Sequence, residues 1–283
     1  VTLRRAAQPE DLVVANGLLA LPALRLARLR SPVVWIAHDV VVRPDRRRVL
    51  RACGPAVTLA VAVSDAVARP LREAGITATV VRNGTTFPIE PAPLDHAGPP
   101  VIGVNALLTS WKGQDVLLDA VGRLDRGDVL VELLGGSFPK DRAYVQRLRE
   151  RTTRPDLVGR VRFLGKVDDP LAHMRGWSIS VLPSVDPEAA PLSLLEAMSI
   201  GIPAVATNHG GAAEVLGDAG LLVPPRDPDA LAAAIGHLVD DRDLRRRCAQ
   251  AGPRLIAAGL TLEEQEQAFL RVLEAVTDRA PVG

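Results

Sequence analysis

Two carboxylates flank a predicted helix start in the segment EAAPLSLLE, which begins at Glu188, ends at Glu196 and follows the apolar run ISVLP. Proline is tolerated in the first helical turn, so Pro191 predicts a helix that begins near that residue. The free N–H groups of Leu192 and Ser193 would then point out of the helix and suit an anion such as a phosphate. The two carboxylates would accept hydrogen bonds from sugar hydroxyls. The alternative interpretation gives these carboxylates no role in binding. One acid would then be favoured by the helix dipole, and the other would lie on a solvated helix face.

The elements that would position these groups alternate along the chain. Short β-branched runs, among them Val33–Ala37, Val101–Val104 and Ser178–Leu182, alternate with apolar residues at helical spacing. This alternation is typical of βαβ units on parallel sheets, and continuous apolar strands indicate burial on both faces. Open α/β sheets bind ligands beyond the carboxyl ends of their strands, where the two glutamates would lie. The sequence therefore predicts an α/β fold.

A proline-rich stretch divides the chain. The sequence GTTFPIEPAPLDHAGPP, which begins at Gly84, contains five prolines and predicts a linker. We therefore predict an N-terminal domain with its linker over residues 1–97 and a second domain over residues 98–260. A last helix within residues 261–283 is expected to pack back on the N-terminal domain. A length of 283 residues fits two domains.

Composition excludes several classes of protein. The chain is 47% hydrophobic with a formal net charge of +1, which excludes intrinsic disorder and gives no electrostatic reason to expect nucleic acid as a partner. Cys53 and Cys248 fit no metal-binding spacing and are expected to be reduced thiols. The sequence contains no apolar run long enough for a bilayer span and no signal-peptide pattern at its start. We expect a cytoplasmic protein.

Several longer motifs occur in a fixed order along almost the whole chain. They are PVVWIAH from Pro32 to His38, the V-x-N-G of Val81–Gly84, WKGQDVLLDA from Trp111 to Ala120, LLEAMSIGIPAVA from Leu194 to Ala206, the T-x-x-G-G-x-x-E of Thr207–Glu214, and GLLVPP from Gly220 to Pro225. With this ordered set, the sequence resembles family 4 of the GT-B glycosyltransferases.

The resemblance implies a fold, an activity and a donor site. Two Rossmann-like, doubly wound parallel-sheet domains would face each other across a cleft. The activity would be retaining transfer of a hexose from a nucleotide diphosphate sugar, with no metal and no other cofactor. Glu196 would hold the ribose hydroxyls, Glu188 the hydroxyls of the transferred sugar, and Lys112 the diphosphate. The implied donor-binding residues are Lys112, Gly113, Glu188, Leu192, Ser193 and Glu196.

The resemblance also implies a second group of residues around the cleft. His38 would face the diphosphate or the acceptor, and it is the implied catalytic residue together with Glu188. The acceptor itself, whether a glycan, a lipid or a small molecule, is not specified. The implied cleft-lining residues are Asn83, Gly84, His209, Gly210 and Gly211.

Two departures from the family pattern leave alternatives open. Leu107 stands where the family usually has an arginine, so half of the expected cationic clamp is missing. The two or three βα elements that the family has before Asp11–Val14 are absent from the sequence, so we expect an incomplete N-terminal domain. A non-catalytic nucleotide-sugar-binding protein or partner subunit is the alternative function, and a GT-B-type sugar epimerase is a weaker one.

A basic run, Arg43–Arg51, lies on one predicted helix and contains five arginines. A solvated helix face is the default interpretation of such a run. The sharper interpretation is peripheral contact with an anionic membrane, at the inner face of which the protein would then lie, since each basic residue near such a surface contributes about 1 kcal/mol.

Overall fold

A computed structural model describes residues 7–8, 11–86, 90–94, 98–124 and 126–278. Contacts within the chain divide it into two units. The first contains the chain up to Gly84, the short segment Glu188–Ala190 and the chain from Leu262 onward; the second contains Thr85–Pro187 and Pro191–Thr261. The division thus differs from the predicted boundary after residue 97. The reason is that the Thr85 N–H donates to Leu260 O and the Ala92 N–H to Ile200 O, which ties the start of the proline-rich stretch to the second unit.

The first unit is built on a four-stranded parallel sheet in the order β1-β2-β3-β4. Its elements up to Gly84 are β1 Val13–Asn16, α1 Leu21–Ala27, β2 Val33–Ala37, α2 Pro44–Cys53, β3 Leu59–Ala62, α3 Asp65–Glu73 and β4 Ala78–Val80. The apolar sequence of β2 predicts burial on both faces, and Val33, Val34 and Trp35 are all buried. The Trp35 indole N–H donates to Gly17 O over 2.9 Å, so its one polar group is satisfied inside the core.

The second unit is built on a six-stranded parallel sheet in the order β10-β9-β8-β5-β6-β7. Its elements are β5 Val101–Asn105, α4 Gln114–Arg123, β6 Leu130–Leu134, α5 Arg142–Arg151, β7 Val161–Gly165, α6 Pro170–Met174, β8 Ile179–Leu182, α7 Leu192–Ser199, β9 Ala204–Thr207, α8 Ala212–Leu216, β10 Gly220–Val223, α9 Pro228–Asp240 and α10 Arg242–Ala257. Strands β8 and β9 are buried at every residue. The α/β prediction is confirmed for both units.

The strand order of the second unit contains a switch point. From β5 the chain continues outward to β6 and β7, and it then returns to the other side of β5 to form β8, β9 and β10. At such a reversal the loops that leave two neighbouring strands diverge, which opens a crevice at their carboxyl ends. In this unit the crevice lies beyond Asn105, at the end of β5, and Leu182, at the end of β8.

The last helix, α11 at Leu262–Thr277, belongs to the first unit. Its Val276 side chain is buried against Val34, Val61 and Val81 of the first sheet and the segment after it. The helix therefore covers the face of this sheet from a position remote in the sequence.

Candidate active site

The loop after β5 carries Lys112 to the switch point of the second unit. It ends in a 3-10 turn, Ser110–Lys112, followed by Gly113 with φ +70°. A Cβ atom on Gly113 would lie 2.0 Å from the carbonyl oxygen of Pro183, so only glycine fits this close approach of two backbones. The lysine ammonium lies 4.2 Å from the ring centroid of Trp111. The loops after β5 and β8 are therefore in direct contact, with Lys112 on one of them.

The loop after β8 leads into α7, whose start has two unpaired donors. The helix begins at Leu192 after Pro191, and no side chain caps it. Neither the Leu192 N–H nor the Ser193 N–H has a hydrogen-bond partner within the described ranges, and Leu192 is half exposed. Unpaired N–H groups at a helix start are suited to binding an anion.

Glu196 lies one turn into the same helix, half-buried. Its Oε2 accepts a hydrogen bond from the side-chain amide of Asn105 over 3.0 Å. Burial raises the pKa of the Glu196 carboxyl above its usual value, and the Asn105 hydrogen bond opposes that shift. A half-buried carboxylate one turn from two unpaired N–H groups can accept hydrogen bonds from a ligand that carries hydroxyl groups.

The loop after β9 brings His209 to the same edge of the sheet. The Thr207 hydroxyl donates to Ser184 O over 2.9 Å, which ties this loop to the loop after β8. Gly210 has φ +63° and Gly211 precedes α8. Both ring nitrogens of His209 are buried, and among the described residues neither has a hydrogen-bond partner. Buried polar atoms normally have partners, so this ring is suited to a ligand.

The remaining predicted site residues belong to the first unit. Glu188 is buried, with 7% of its surface exposed. Asn83 donates from its side chain to Ala190 O over 3.3 Å, and the Gly84 N–H donates to Gln265 Oε1 over 2.8 Å. These contacts fix the segment after Glu188 and the chain at Gly84 to the first unit.

His38 follows β2 and is exposed. Its Nε2 forms a hydrogen bond with Oδ1 of Asn16, the last residue of the neighbouring strand β1. Because both residues lie at the carboxyl edge of the first sheet, the imidazole is held at the edge where parallel sheets bind ligands. Its partner was not predicted from the sequence.

Two further residues escaped the sequence patterns. Asn105 forms a hydrogen bond with Glu196, which lies 91 residues later in the sequence, and no local sequence pattern predicts a contact over that separation. Arg226 has φ +61° and its guanidinium lies 3.3 Å from an oxygen of Asp186 in the loop after β8. Non-glycine residues with a positive φ are uncommon, so this backbone angle, which is visible only in the structure, draws attention to Arg226.

Metal-binding patterns have structural explanations where they occur. The sequence contains two Asp-x-Asp triplets, at residues 227–229 and 241–243, a spacing that can bind a metal ion. In the structure Asp227 accepts from the Ala230 N–H and Asp241 from the Leu244 N–H, so both are helix caps. Across the described ranges, no group of three or more His, Cys, Asp or Glu side chains could hold a metal ion. Nor does any helix of those ranges have the length and apolar character needed to cross a membrane.

Comparison with known proteins assigns the chain to a family. The sequence model described as glycosyl transferases group 1 matches residues 98–241, more than half of the chain. The chain belongs to this family, as the motifs predicted. A phosphatidyl-myo-inositol mannosyltransferase of Mycobacterium leprae is 32% identical over 253 residues, which cover 84% of this chain and 65% of that protein. Its counterpart in Mycolicibacterium smegmatis is 34% identical, covering 80% of this chain and 61% of that protein. The chain spans less than two thirds of the length of these relatives.

Solved structures show the same GT-B architecture. Anabaena Alr3699/HepE in complex with UDP superposes with a TM-score of 0.88 at 26% identity, over 97% of this chain and 81% of that one. The sucrose-phosphate synthase of Thermosynechococcus elongatus superposes with a TM-score of 0.81 at 23% identity, over 93% of this chain and 74% of that one. The second likeness concerns the fold alone.

Proposed function

We propose that this chain is a retaining hexosyltransferase that uses a nucleotide diphosphate sugar as its donor. The observation that carries the proposal is the start of α7 at the switch point of the second unit. The unpaired N–H groups of Leu192 and Ser193 suit the diphosphate, and the Glu196 carboxylate one turn later suits the ribose hydroxyls. The ordered family motifs support the same assignment.

The chemistry of the leaving group explains the cationic loop. Cleavage of the bond to the anomeric carbon leaves negative charge on the diphosphate, and preorganised positive potential at that position stabilises the transition state. Lys112 supplies a point charge and the start of α7 supplies two N–H dipoles. Gly113 allows the lysine loop to contact the loop before α7. We propose that these groups act without a metal ion.

Three side chains receive further roles in this proposal. Glu188 binds hydroxyls of the transferred sugar. Its carboxylate is buried, and a buried carboxylate needs hydrogen-bond donors, which the sugar hydroxyls would supply. His209 donates from its otherwise unpaired ring to the donor, at the loop that also contains Gly210 and Gly211. His38, oriented by Asn16, acts at the diphosphate or the acceptor.

Calorimetric titration with UDP, GDP and ADP tests the donor site. The HepE structures hold UDP and UDP-glucose, and several relatives are named GDP-mannose-dependent mannosyltransferases, so UDP and GDP are the leading ligands. We expect Glu196→Ala to weaken binding of the preferred nucleotide at least tenfold. Ser199→Ala is the matched control, because the Ser199 hydroxyl donates to the backbone carbonyl of Glu196 rather than to its carboxylate. Unchanged affinity in Glu196→Ala would refute the ribose contact.

Donor hydrolysis separates the enzyme from a second candidate, a binding protein without turnover. Leu107 favours that candidate, since it leaves the loop without the family's arginine and its side chain is 40% exposed. For an enzyme, release of UDP or GDP from the sugar donor should be measurable and should fall about a hundredfold in Lys112→Ala. Tight nucleotide binding without any release would favour the binding protein.

We propose that α2 contacts an anionic membrane at its cytoplasmic face and so places the protein near a lipid or glycan acceptor. Arg43 pairs with Asp45 and Arg47 with Glu73, but Arg46, Arg48 and Arg51 have exposed side chains without a carboxylate partner within the described ranges. The name of the phosphatidyl-myo-inositol mannosyltransferases gives a precedent for lipid acceptors in the family.

Vesicle sedimentation tests this surface. Vesicles of phosphatidylglycerol and phosphatidylcholine should retain the chain at low salt. The triple change of Arg46, Arg48 and Arg51 to glutamine should reduce that binding about a hundredfold, at about 1 kcal/mol for each residue. Equal binding by the triple variant, or binding that is insensitive to salt, would contradict the proposal.

A further inference from the structure

Asn105 is the last residue of β5, beside the switch point of the second unit. The sequence patterns assign it no role, yet its side-chain amide is the hydrogen-bond donor to the Glu196 carboxylate among the described residues. The contact joins the end of a central strand to the helix α7, whose start provides the unpaired N–H groups. Strand ends are rigid supports for a site, and a side chain on one can fix a neighbour's geometry.

The orientation of the Asn105 amide is determined by its two contacts. Its Nδ2 atom lies 3.0 Å from Glu196 Oε2 and 3.8 Å from the sulfur of Met174, which is fully buried. Both neighbours are acceptors, so the amide nitrogen and not the amide oxygen must face them. Asn105 therefore presents a donor to the carboxylate, and a reversed amide would place two oxygens against each other.

We infer that Asn105 is a positioning residue, which holds one oxygen of the Glu196 carboxylate so that the other is directed at the ligand. The inference rests on the proposed function, because it concerns the same ribose contact. A carboxylate that binds two vicinal hydroxyls must be fixed in rotation as well as in place, and a single strong donor at one oxygen achieves this.

The Asn105 hydrogen bond also favours the ionised form of the Glu196 carboxylate. Burial raises the pKa of Glu196 and the Asn105 hydrogen bond lowers it, while no charged side chain of the described residues adds to either effect. Removal of the amide must therefore raise the pKa of Glu196 further. Because protonation removes an acceptor, the affinity for a ribose would then be lost at a higher pH than in the unmodified chain.

The test compares Asn105→Leu, Glu196→Ala and the double variant in calorimetric titrations with UDP and with GDP, as functions of pH. Leucine has a similar volume and no donor. We expect Asn105→Leu to weaken binding of the preferred nucleotide roughly tenfold and to move the acid midpoint of binding upward. In the Glu196→Ala background, Asn105→Leu should have no further effect, since residues that act through one another are not additive.

Ser199→Ala serves as the control on the same helix. It removes a 2.8 Å hydrogen bond to the backbone carbonyl of Glu196 and leaves the carboxylate contact intact. Its affinity and pH midpoint should match those of the unmodified chain. A carboxyl NMR titration of Glu196 in the absence of nucleotide should show a higher pKa in Asn105→Leu only.

The outcomes separate the inference from the function beneath it. If Glu196→Ala weakens binding and Asn105→Leu does not, or if the effects of the two changes add, the positioning role is refuted and the donor site stands. If Glu196→Ala has no effect, the ribose contact is refuted and the positioning role with it. If the unmodified chain binds none of UDP, GDP and ADP, the proposed donor site is refuted as well. A loss of folding in Asn105→Leu would show as a lowered melting temperature, and Asn105→Ser, which keeps a hydroxyl donor, should then restore part of the affinity.

Discussion

Gly113→Ala should be strongly destabilising, and the structure supplies both parts of its cost. The φ of +70° lies in the left-handed region, where a side chain costs about 1–2 kcal/mol. The added Cβ would also lie 2.0 Å from the carbonyl oxygen of Pro183, whereas ordinary contacts begin at 3.4 Å. Since both contacting groups belong to the backbone, no side-chain rotation relieves the overlap, and we add about 1–3 kcal/mol for the forced displacement.

Gly159→Ala provides the matched comparison. Gly159 lies in the same unit with φ +77°, and no atom lies within 4 Å of its added Cβ. This variant should lose only the backbone part, about 1–2 kcal/mol. Urea unfolding of both variants measures the free energies, and the m-values check that the transitions remain comparable. If Gly113→Ala is no less stable than Gly159→Ala, the close contact between the two loops is wrong.

The same pair of variants tests the link from this contact to the ligand. Displacement of the Gly113 turn must move Lys112, which immediately precedes it, away from its position beside the loop before α7. Nucleotide affinity should therefore fall in Gly113→Ala and remain unchanged in Gly159→Ala. Equal affinities would show that the Gly113 turn contributes to stability but not to nucleotide binding.

Three further substitutions have defined expectations. Tyr144→Phe removes a buried hydroxyl that accepts from the Asp115 N–H over 3.2 Å at the start of α4, so urea unfolding should show a loss of about 1–3 kcal/mol. Glu196→Gln should stabilise the unliganded chain at pH 7, because a pKa raised by burial means that ionisation opposes folding; melting temperatures should show this gain shrinking as the pH falls through the raised pKa toward the ordinary value. Gly252→Ala would place a Cβ 2.6 Å from Met198 O and should lower the melting temperature by separating α10 from α7; an unchanged value would contradict that packing.

Much of the fold follows from apolar runs in the sequence. The predicted strand Val33–Ala37 has the bounds of β2, and the predicted strand Val101–Val104 lies within β5. Such runs are informative because both faces of these parallel strands are buried, so apolar side chains are required at successive positions. Edge strands lack this requirement. The pattern does not predict β1, which has only four residues, lies at the edge of its sheet and alternates between half-buried and exposed side chains.

Residue spacing alone predicted the candidate site only where its residues are close in sequence, whereas Lys112, His38 and His209 were predicted from the family motifs. Leu192, Ser193 and Glu196 form one local pattern, in which a proline fixes the helix start and helical spacing places the carboxylate. Asn105 has no such signal, since its partner lies 91 residues away. The division of the chain was likewise hidden, because Glu188–Ala190 lies beside Pro191 in sequence and yet groups with the first unit. Contacts between distant segments are set by strand order, which a single sequence does not encode locally.

The N–H groups at the start of α7 and the Glu196 carboxylate together restrict the class of ligand more than either feature does alone. The two unpaired N–H groups attract an anion, but Glu196 lies only four residues beyond Leu192, about 6 Å along the helix axis. A free phosphate or a long polyanion would gain at the helix start and be repelled by the carboxylate. A neutral sugar would use the carboxylate and leave the N–H groups unpaired. A ligand with negative charge at one end and vicinal hydroxyls within one helical turn satisfies both, and a nucleoside diphosphate has that structure. UDP should therefore bind more tightly than either inorganic pyrophosphate or uridine, and equal affinity for UDP and pyrophosphate would show that Glu196 contributes nothing.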